Sequence, residues 1–412
     1  MNIDPVLKAL AAALHGEGPA VEISVDPDGN PVATAVDVPG VEDAAVVVRT
    51  SGSTGAPKAT VLTVDALAAS SMATAIALKG EGQWLLALPL QYVAGVQVLV
   101  RSLFAGTRPW AMDLNDGFTP ESFTAAAEEL TDKIRFTSLV PAQLTRLLDA
   151  PSPATLAVLR RFNAILLGGA PASPELLAAA ADAGLRVVTT YGSAETCGGC
   201  VYDGEPLDGV QVRLDDDGRV LLGGATIAAG YLDDDSRLDA SGRLGSGTEA
   251  GAEAFFEKDG ERWYRTNDLG ELSDDAKLIV HGRADDVIIT GGVKVSAAFI
   301  QTELEKLDDV RAAFVAGVPS ARWGQAVAAY VAVEPGSLLP TNGELTGGEA
   351  AGGKATRTEA AAAAAILQQS RTRLEALAPK TVHAAPALIM LPNGKPDRLA
   401  MIDHLTRLHQ AE

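Results

Sequence analysis

The sequence predicts an α/β fold: a large N-terminal domain of layered α/β sheets with a small β-rich subdomain, and a mobile C-terminal α+β lid domain. Two observations lead to this prediction. Short runs rich in β-branched residues alternate with Ala- and Leu-rich stretches of helical length, which is the pattern of a layered α/β sheet. The chain also has 412 residues, and because domains cluster at roughly 100–200 residues, we expect one large and one smaller unit.

The first half of the chain is predicted to alternate buried strands and helices. Ser173 and Pro174 make a favourable helix start, since the hydroxyl can cap an N–H group and proline suits the first helical position. Residues 6–14 are apolar on one face and are interpreted as a surface helix that docks on the core. Strands are predicted at residues 45–49, 84–88, 136–140, 164–167 and 185–190, and helices at residues 65–78, 141–148 and 173–183.

The β-rich subdomain is predicted from the change of pattern after Tyr202. Two short apolar runs flank the turn Asp216-Asp217-Gly218, which is typical of a β-hairpin. The strands of this subdomain are predicted at residues 210–214, 220–222, 263–265 and 278–281.

A second change near residue 283 predicts the lid, so the domains are placed at residues 1–283 and 284–412. Residues 334–358 are rich in Gly, Glu and Thr and are predicted to be a flexible insertion, with a helix starting at the Ala run of residues 360–365. The lid is predicted to contain a helix at residues 299–307 and strands at residues 310–318, 326–333 and 387–391.

Net charge and cysteine content limit the partners and the cellular compartment that the sequence predicts. The chain has 33 Lys+Arg against 53 Asp+Glu, a formal net charge of −20, so nucleic acid and membranes are not expected as partners. Two cysteines make no disulfide framework, and no leader peptide or apolar run of membrane-spanning length is evident, which predicts a cytoplasmic protein. An anionic ligand would have to be held by a few placed cations, backbone N–H groups and a metal ion.

The most informative segment follows the first predicted strand. Its glycines let backbone N–H groups turn toward an anion, its hydroxyls add donors, and Lys58 adds a positive charge, which suits a polyphosphate. It is not a Walker loop, because Pro57 precedes Lys58 and Ala59 follows it. Taken alone, such a string is also compatible with a plain flexible loop. The residues predicted to bind a nucleotide here are Thr50, Ser51, Gly52, Ser53, Thr54, Gly55 and Lys58.

With the strand before it, this string resembles the phosphate-binding signature of the adenylate-forming acyl- and aryl-CoA synthetases. Taken singly, each of the family's signatures is compatible with a surface turn, a helix cap or a solvated charge. Six matches in the family's order, however, identify the chain as a member. The five further segments are Gly168-Gly169-Ala170, Thr190-Tyr191-Gly192-Ser193-Ala194-Glu195-Thr196, Tyr264-Arg265-Thr266-Asn267-Asp268-Leu269-Gly270, Gly282-Arg283-Ala284-Asp285-Asp286 and Pro392-Asn393-Gly394-Lys395-Pro396-Asp397-Arg398.

The resemblance implies a role for particular residues. Glu195 would be a catalytic residue that reaches Mg²⁺, and Lys395 would be the catalytic lysine. Asp268 and Arg283 would bind the ribose, Asp285 would be the hinge, and Lys294 would lie near coenzyme A. The other residues implied to bind the nucleotide are Gly169, Ala170, Tyr191, Gly192 and Thr196, with the Tyr191 ring on adenine.

The implied reaction is the ATP-dependent ligation of an acid to a thiol. A substrate carboxylate would attack the α-phosphate of ATP and expel pyrophosphate, and the thiol of coenzyme A would then release AMP from the acyl-adenylate. In this family the lid takes a different orientation for each step. ATP, Mg²⁺ and coenzyme A are therefore the expected cofactors.

The choice of acid depends on the stretch around residues 88–101. It resembles the family's Pro-Leu-x-His-x-x-Gly stretch, but Tyr92 stands where histidine is usual. Gln97 and Arg101 are four residues apart and share a helix face. Because a buried arginine needs an anion, Arg101 is expected to meet either an internal carboxylate or a second carboxylate on the substrate.

Together with the glycines of the string from Thr196 to Tyr202, this stretch resembles the o-succinylbenzoate-CoA ligases of menaquinone biosynthesis. Another aryl- or fatty acyl-CoA synthetase, a carrier-protein-loading enzyme and a non-catalytic nucleotide-binding relative remain alternatives. Small molecules are the expected partners, and the oligomeric state stays open, with a homodimer among the alternatives. The predicted acyl-substrate residues are Tyr92, Gln97, Arg101, Gly168, Gly198 and Gly199.

The C-x-x-C pair, Cys197 and Cys200, invites a zinc or redox interpretation. That interpretation is disfavoured because the sequence contains no second cysteine pair and its five histidines show no ligand spacing. The pair is better explained as small residues beside the substrate.

Overall fold

The computed structural model describes residues 1–51, 57–232, 254–307, 309–333, 354–391 and 396–411. The chain separates into two compact units, of which the first comprises Met1–Thr266 with Leu272–Ile279 and the second Asn267–Glu271 with Val280–Glu412. The changes of unit fall within two strands, β16 (Glu261–Leu272) and β17 (Leu278–Arg283). The domain boundary predicted after residue 283 lies a few residues beyond the change of unit between Ile279 and Val280.

The first unit begins with helix α1 (Asp4–Leu14), whose Val6 and Leu10 are fully buried. The apolar face of this segment therefore packs into the core, as the sequence predicts. The helix lies beside a sheet with the order β14-β4-β3-β1-β2. The hairpin of β1 and β2 is not among the predicted elements. The strands are β1 (Ala20–Val25), β2 (Pro31–Val36), β3 (Ala44–Ser51), β4 (Pro57–Thr63) and β14 (Gly230–Leu232).

A second sheet of the first unit has the order β11-β10-β9-β8-β7-β5-β6, with parallel pairing from β6 through β5, β7 and β8 to β9. The strands are β5 (Gln83–Leu86), β6 (Trp110–Ala111), β7 (Arg135–Leu139), β8 (Ala164–Leu167), β9 (Val187–Ser193), β10 (Gly198–Tyr202) and β11 (Glu205–Pro206). The helices are α2 (Val64–Ala77), α3 (Val93–Phe104), α4 (Pro120–Glu128), α5 (Pro141–Leu148), α6 (Pro153–Leu159) and α7 (Pro174–Asp182).

Both faces of this second sheet are buried. Trp84 and Leu86 belong to one apolar cluster, whereas Leu85, between them, belongs to another with Ile165 and Leu167. A parallel sheet of this kind is covered by helices on both faces. At the start of α7, Ser173 accepts a hydrogen bond from the Leu176 N–H, as predicted. The layered α/β architecture is confirmed.

A third sheet has the order β12-β13-β16-β15, with β17 beside β16. Its first two strands form the predicted hairpin, in which the Asp215 carboxylate accepts hydrogen bonds from the N–H groups of Asp217 and Arg219. The small β-rich subdomain is therefore confirmed. The strands not yet defined are β12 (Val210–Leu214), β13 (Arg219–Gly224) and β15 (Phe255–Lys258).

The second unit is α+β, with the sheet order β19-β18-β21-β20 and with β22 parallel to β21. The strands are β18 (Val287–Thr290), β19 (Val293–Ser296), β20 (Val310–Ser320), β21 (Gly324–Val333) and β22 (Thr381–Ala385), and the helices are α8 (Ala297–Glu305), α9 (Lys354–Leu374) and α10 (Arg398–Ala411). None of the described helices of the chain is long and apolar enough to cross a membrane.

Two predictions in this unit are wrong. The strand expected at residues 387–391 is not formed; the sheet instead takes up β22, which Pro386 follows, and proline cannot donate to a strand ladder. Leu388 and Ile389, whose apolar character prompted the prediction, pack against the cluster that contains Met401 and Leu405 of α10. Helix α9 begins at Lys354, inside the predicted insertion, and residues 334–353 of that insertion lie outside the described residues.

Candidate active site

Strands β3 and β4 carry the residues that flank the predicted phosphate segment. Their register places Thr50 opposite Lys58. Strand β14 pairs with β4 on its other side, so that the ring of Tyr231 lies 4.8 Å from the Lys58 Nζ. This arrangement is favourable for a cation on an aromatic face. Gly52, Ser53, Thr54, Gly55 and the side chain of Ser51 lie outside the described residues.

Glu195 is a buried carboxylate, 7% exposed, in a short 3₁₀ helix (Ala194–Thr196). The hydroxyl of Tyr231 donates to its Oε1 at 2.7 Å, and the Ala228 N–H donates to its main-chain carbonyl at 2.9 Å. Burial and the Glu195 carboxylate raise the pKa of Tyr231 well above its usual range, so the hydroxyl stays protonated and donates. Tyr231 thus connects Lys58 with Glu195, a role that no local sequence signal indicates.

Two of the predicted glycines, one just after β8 and one in β9, leave no room for a side chain. A Cβ on Gly168 would lie 2.3 Å from Thr190 Oγ1, and one on Gly192, whose φ is +156°, would lie 2.1 Å from the Gly198 carbonyl oxygen. Gly169 is exposed with φ +84°, and Ala170 is half-buried. Gly168 and Gly192 therefore have a packing reason to be glycine in addition to any contact with a ligand.

Tyr191 and Thr196, both predicted to meet the nucleotide, differ in burial. Tyr191 is half-buried and packs against the main apolar cluster. Thr196 is buried, and its hydroxyl accepts from the Ser193 N–H at 2.9 Å and lies 2.7 Å from the Gly198 carbonyl oxygen, to which it donates. The hydrogen bonds of the Thr196 hydroxyl therefore stabilise the turn between β9 and β10.

Gln97 and Ser70 converge on one carbonyl. Cys197 has a left-handed backbone with φ +53°, and its carbonyl oxygen accepts from Gln97 Nε2 at 2.5 Å and from Ser70 Oγ at 3.2 Å. Gln97 Oε1 is buried without a hydrogen-bond partner in the described part of the chain. A Cβ on Gly198 would lie 3.4 Å from Gln97 Cγ. Gln97 therefore supports the Gly198 segment from the core side, and Ser70 is a participant that the sequence did not reveal.

Arg101 is buried at 6% exposure. Its Nη2 lies 3.5 Å from the Tyr202 hydroxyl, and its guanidinium carbon lies 5.2 Å from the centroid of the Trp84 ring. Arg101 Nε has no hydrogen-bond partner among the described residues, and none of their carboxylates forms an ion pair with it. The internal carboxylate that was the alternative for Arg101 is therefore absent from this part of the protein. Tyr92 is half-buried at the start of α3.

The second unit carries the remaining predicted residues. Asp268 lies on β16 and Arg283 at the end of β17, and both are half-buried and have interaction partners. Lys294 is exposed on β19. The side chain of Asp285, in a 3₁₀ helix (Ala284–Asp286), and the whole of Lys395 lie outside the described residues.

Comparison with known proteins places this geometry in a family. Residues 5–232 match the AMP-binding enzyme family. The chain belongs to this family. A probable 2-succinylbenzoate–CoA ligase of Mycobacterium tuberculosis is 38% identical over 400 residues, which cover 96% of this chain and 94% of the relative. A 2-succinylbenzoate–CoA ligase of Enterococcus faecalis is 28% identical over 317 residues, or 71% of this chain and 60% of that relative.

Solved structures support the fold of this AMP-binding enzyme. The o-succinylbenzoate CoA synthetase of Bacillus subtilis, in complex with the acyl-adenylate intermediate, has a TM-score of 0.66 at 22% identity, covering 90% of this chain and 70% of that chain. ATP-bound MatB from Rhodopseudomonas palustris has a TM-score of 0.71 at 23% identity, covering 94% and 75%. At these identities the likeness establishes the fold. The resemblance predicted from the sequence is confirmed.

Among the described residues of the AMP-binding enzyme, the Glu195 carboxylate would suit Mg²⁺ as a ligand. Mg²⁺ is commonly held by one or two carboxylates together with substrate phosphates and water. Glu195 fits this role because Tyr231 holds one carboxylate oxygen and the other makes no hydrogen bond with a described residue. Among the residues that the structure describes, no three His, Cys, Asp or Glu side chains cluster as a self-sufficient metal site.

The two cysteines of the AMP-binding enzyme are buried thiols. Burial raises the pKa of Cys197 above its usual range and raises the pKa of Cys200 to about 12. Because the thiolate is the form that binds metals and attacks disulfides, both side chains act here as small apolar groups in the core.

Proposed function

We propose that this enzyme converts o-succinylbenzoate, ATP and coenzyme A to o-succinylbenzoyl-CoA, AMP and pyrophosphate, a step of menaquinone biosynthesis. The family membership supports the adenylation chemistry. The names of the M. tuberculosis and E. faecalis relatives support the choice of acid. A cytoplasmic location is part of this proposal.

The observation that carries the choice of acid is the buried Arg101. An unpaired buried charge is strongly destabilising, and no described carboxylate compensates it. A substrate with a second carboxylate would supply the missing anion, because a guanidinium binds a carboxylate through two parallel hydrogen bonds. In o-succinylbenzoate the succinyl carboxylate is activated and the ring carboxylate is left for Arg101.

In the first step the succinyl carboxylate attacks the α-phosphorus of ATP, a new P–O bond forms and the bond to pyrophosphate breaks. Backbone N–H groups near Thr50, with Lys58, bind the phosphates; Tyr191 lies against adenine, and Asp268 and Arg283 bind the ribose. Glu195 would hold Mg²⁺, which when bound would neutralise charge on the phosphate oxygens. Lys395 stabilises the charge that develops in the transition state.

In the second step the thiol sulfur of coenzyme A attacks the carbonyl carbon of the acyl-adenylate, and AMP leaves with the electrons of the C–O bond. The thiol proton passes to solvent. Asp285 is the hinge at which the second unit changes orientation between the steps, and Lys294 provides a positive charge near coenzyme A.

A panel of acids in an ATP–pyrophosphate exchange assay tests this function. We expect exchange with o-succinylbenzoate and AMP release that requires coenzyme A. Exchange only with fatty acids would assign the enzyme to another branch of the family, and no exchange with any acid would contradict catalysis.

A further inference from the structure

We infer that Tyr202 is a positioning residue that sets the specificity of the acyl site through Arg101, with Thr74 as its anchor. This inference rests on the proposed function and deepens it. Tyr202 and Thr74 are separated by 128 positions in the chain and meet in the core, where they are 6% and 1% exposed. Thr74 belongs to no motif, and Tyr202 is the last residue of the string from Thr196 to Tyr202, in which only the glycines were predicted to meet the substrate.

The hydroxyl of Tyr202 lies between two partners. Its oxygen is 3.1 Å from Thr74 Oγ1 on α2 and 3.5 Å from Arg101 Nη2 on α3. A guanidinium has only donors, so the Tyr202 oxygen accepts from Arg101, whereas either hydroxyl can donate in the pair of Tyr202 and Thr74. The three side chains therefore form one continuous chain of hydrogen bonds.

The ring of Tyr202 forms part of the wall of the acyl site. A Cβ on Gly199 would lie 3.2 Å from Tyr202 Cε1, so the ring packs directly beneath this glycine. Gly199 is one of the residues that the proposed function places at the substrate. Tyr202 thus connects the wall of the site with the cation that recognises the acid.

Arg101 is buried and has two described contacts to its guanidinium. Tyr202 bonds one terminal nitrogen, and the Trp84 ring covers the guanidinium at 5.2 Å. Arg101 Nε has no partner in the described residues. Without the Tyr202 hydroxyl, the guanidinium would lose the hydrogen bond to a described residue that orients its plane, because a cation–π contact with Trp84 does not select the rotation of the guanidinium.

The test compares two acids on the wild type and on Tyr202→Phe. One acid is o-succinylbenzoate; the other is 4-oxo-4-phenylbutanoate, which has the same chain and ring but lacks the ring carboxylate. We expect Tyr202→Phe to raise the KM for o-succinylbenzoate about tenfold, the scale of one hydrogen bond to a charged group. Its kcat, the KM for ATP and the kinetics with the second acid should change less than about twofold.

Matched variants separate positioning from a general effect on packing. Thr74→Val removes the anchoring hydroxyl and should reproduce part of the loss, whereas Thr74→Ser keeps the hydroxyl and should preserve the preference for the dicarboxylate. Tyr330→Phe removes a hydroxyl from another buried tyrosine, in the second unit, and should leave both acids unaffected. If Tyr202→Phe does not fold, the comparison of Thr74→Val with Thr74→Ser decides alone.

The outcomes distinguish a failure of the role of Tyr202 from a failure of the proposed function. A wild type that prefers the dicarboxylate, with Tyr202→Phe weakening both acids equally or neither, would overturn this inference and leave the proposed function intact. A wild type that activates neither acid would overturn the proposed function, and the inference would fall with it.

Discussion

Arg101 is buried and has no acidic partner among the described residues. Its charge therefore affects both the stability of the protein and its affinity for substrate. Before substrate binds, its charge is a liability for stability. In the proposed function, a substrate carboxylate would make the same charge the main source of affinity, because removing one partner of a buried ion pair costs about 3–5 kcal/mol. Removing the charge should therefore move stability and substrate affinity in opposite directions.

Arg101→Met is the direct test at this position. Methionine fills a similar volume without charge. We expect the melting temperature to rise and the KM for o-succinylbenzoate to increase by at least about 100-fold, with ATP binding unchanged. Arg108→Met is the control, since Arg108 is exposed and pairs with Asp4 at the surface. A lower melting temperature together with an unchanged KM would contradict the role of Arg101.

Tyr231 provides a second prediction at the scale of single residues. Its hydroxyl donates to the buried Glu195 carboxylate, and a hydrogen bond to a charged group contributes about 1.5–3 kcal/mol. Tyr231→Phe should lower the free energy of unfolding by that amount in urea denaturation. Tyr92→Phe, whose hydroxyl makes no hydrogen bond within the described residues, should change it by less than about 0.5 kcal/mol. Equal effects of the two variants would exclude a special role for the Tyr231 hydroxyl.

At the scale of elements, the packing of β22 and α10 against β21 brings two histidines and a tyrosine into contact. His383 on β22 and His404 on α10 have ring centroids 4.3 Å apart, and Tyr330 of β21 lies 4.6 Å from His383 and 5.5 Å from His404. Burial and the neighbouring His404 lower the pKa of His383. The folded state therefore favours the neutral imidazole.

This lowered pKa gives the second unit a pH-dependent stability. The unfolded pKa of histidine is about 6.5, so the contribution of neutral His383 is complete above that pH and is lost as the pH falls toward the lower, folded pKa. Between about pH 7 and pH 5, wild type should lose more unfolding free energy than His383→Gln. His15→Gln, which removes an exposed histidine, should follow the wild type. Parallel curves for wild type and His383→Gln would refute this.

The elements also show which features a sequence makes predictable. The hairpin around Asp216-Asp217-Gly218 and the helix that starts at Ser173-Pro174 are specified by neighbouring residues, and both are confirmed. Strand β22 was missed because Thr381–Ala385 gains its place from pairing with β21, more than 40 residues earlier. The family's motifs are contiguous, whereas Ser70, Thr74, Tyr202 and Tyr231 act through contacts between distant strands and helices. No local pattern identifies such residues.

At the scale of the whole molecule, a net charge of −20 would repel the three anionic substrates of the proposed function. Individual cations at the proposed binding positions offset this repulsion. Two of them lie in the first unit: Lys58, which is half-buried, and Arg101, which is buried. The acidic remainder favours solubility and discourages binding to nucleic acid.

A variant of Lys395 tests whether this residue acts in the adenylation step and not in thioester formation. We expect Lys395→Ala to slow acid-dependent pyrophosphate release by about 100-fold or more, the scale for the loss of one transition-state contact. Thioester formation from supplied acyl-adenylate should be unaffected. Lys306→Ala, which removes an exposed lysine paired with Glu303, should alter neither step. Full pyrophosphate release by Lys395→Ala would remove this residue from the adenylation step.

The most direct test of the central claim is to identify the products of the purified enzyme by mass spectrometry after incubation with ATP, Mg²⁺, coenzyme A and o-succinylbenzoate. The account predicts o-succinylbenzoyl-CoA and AMP in equal amounts, and accumulation of the acyl-adenylate when coenzyme A is omitted. Formation of ADP, or thioester formation only with acids that lack a second carboxylate, would contradict it.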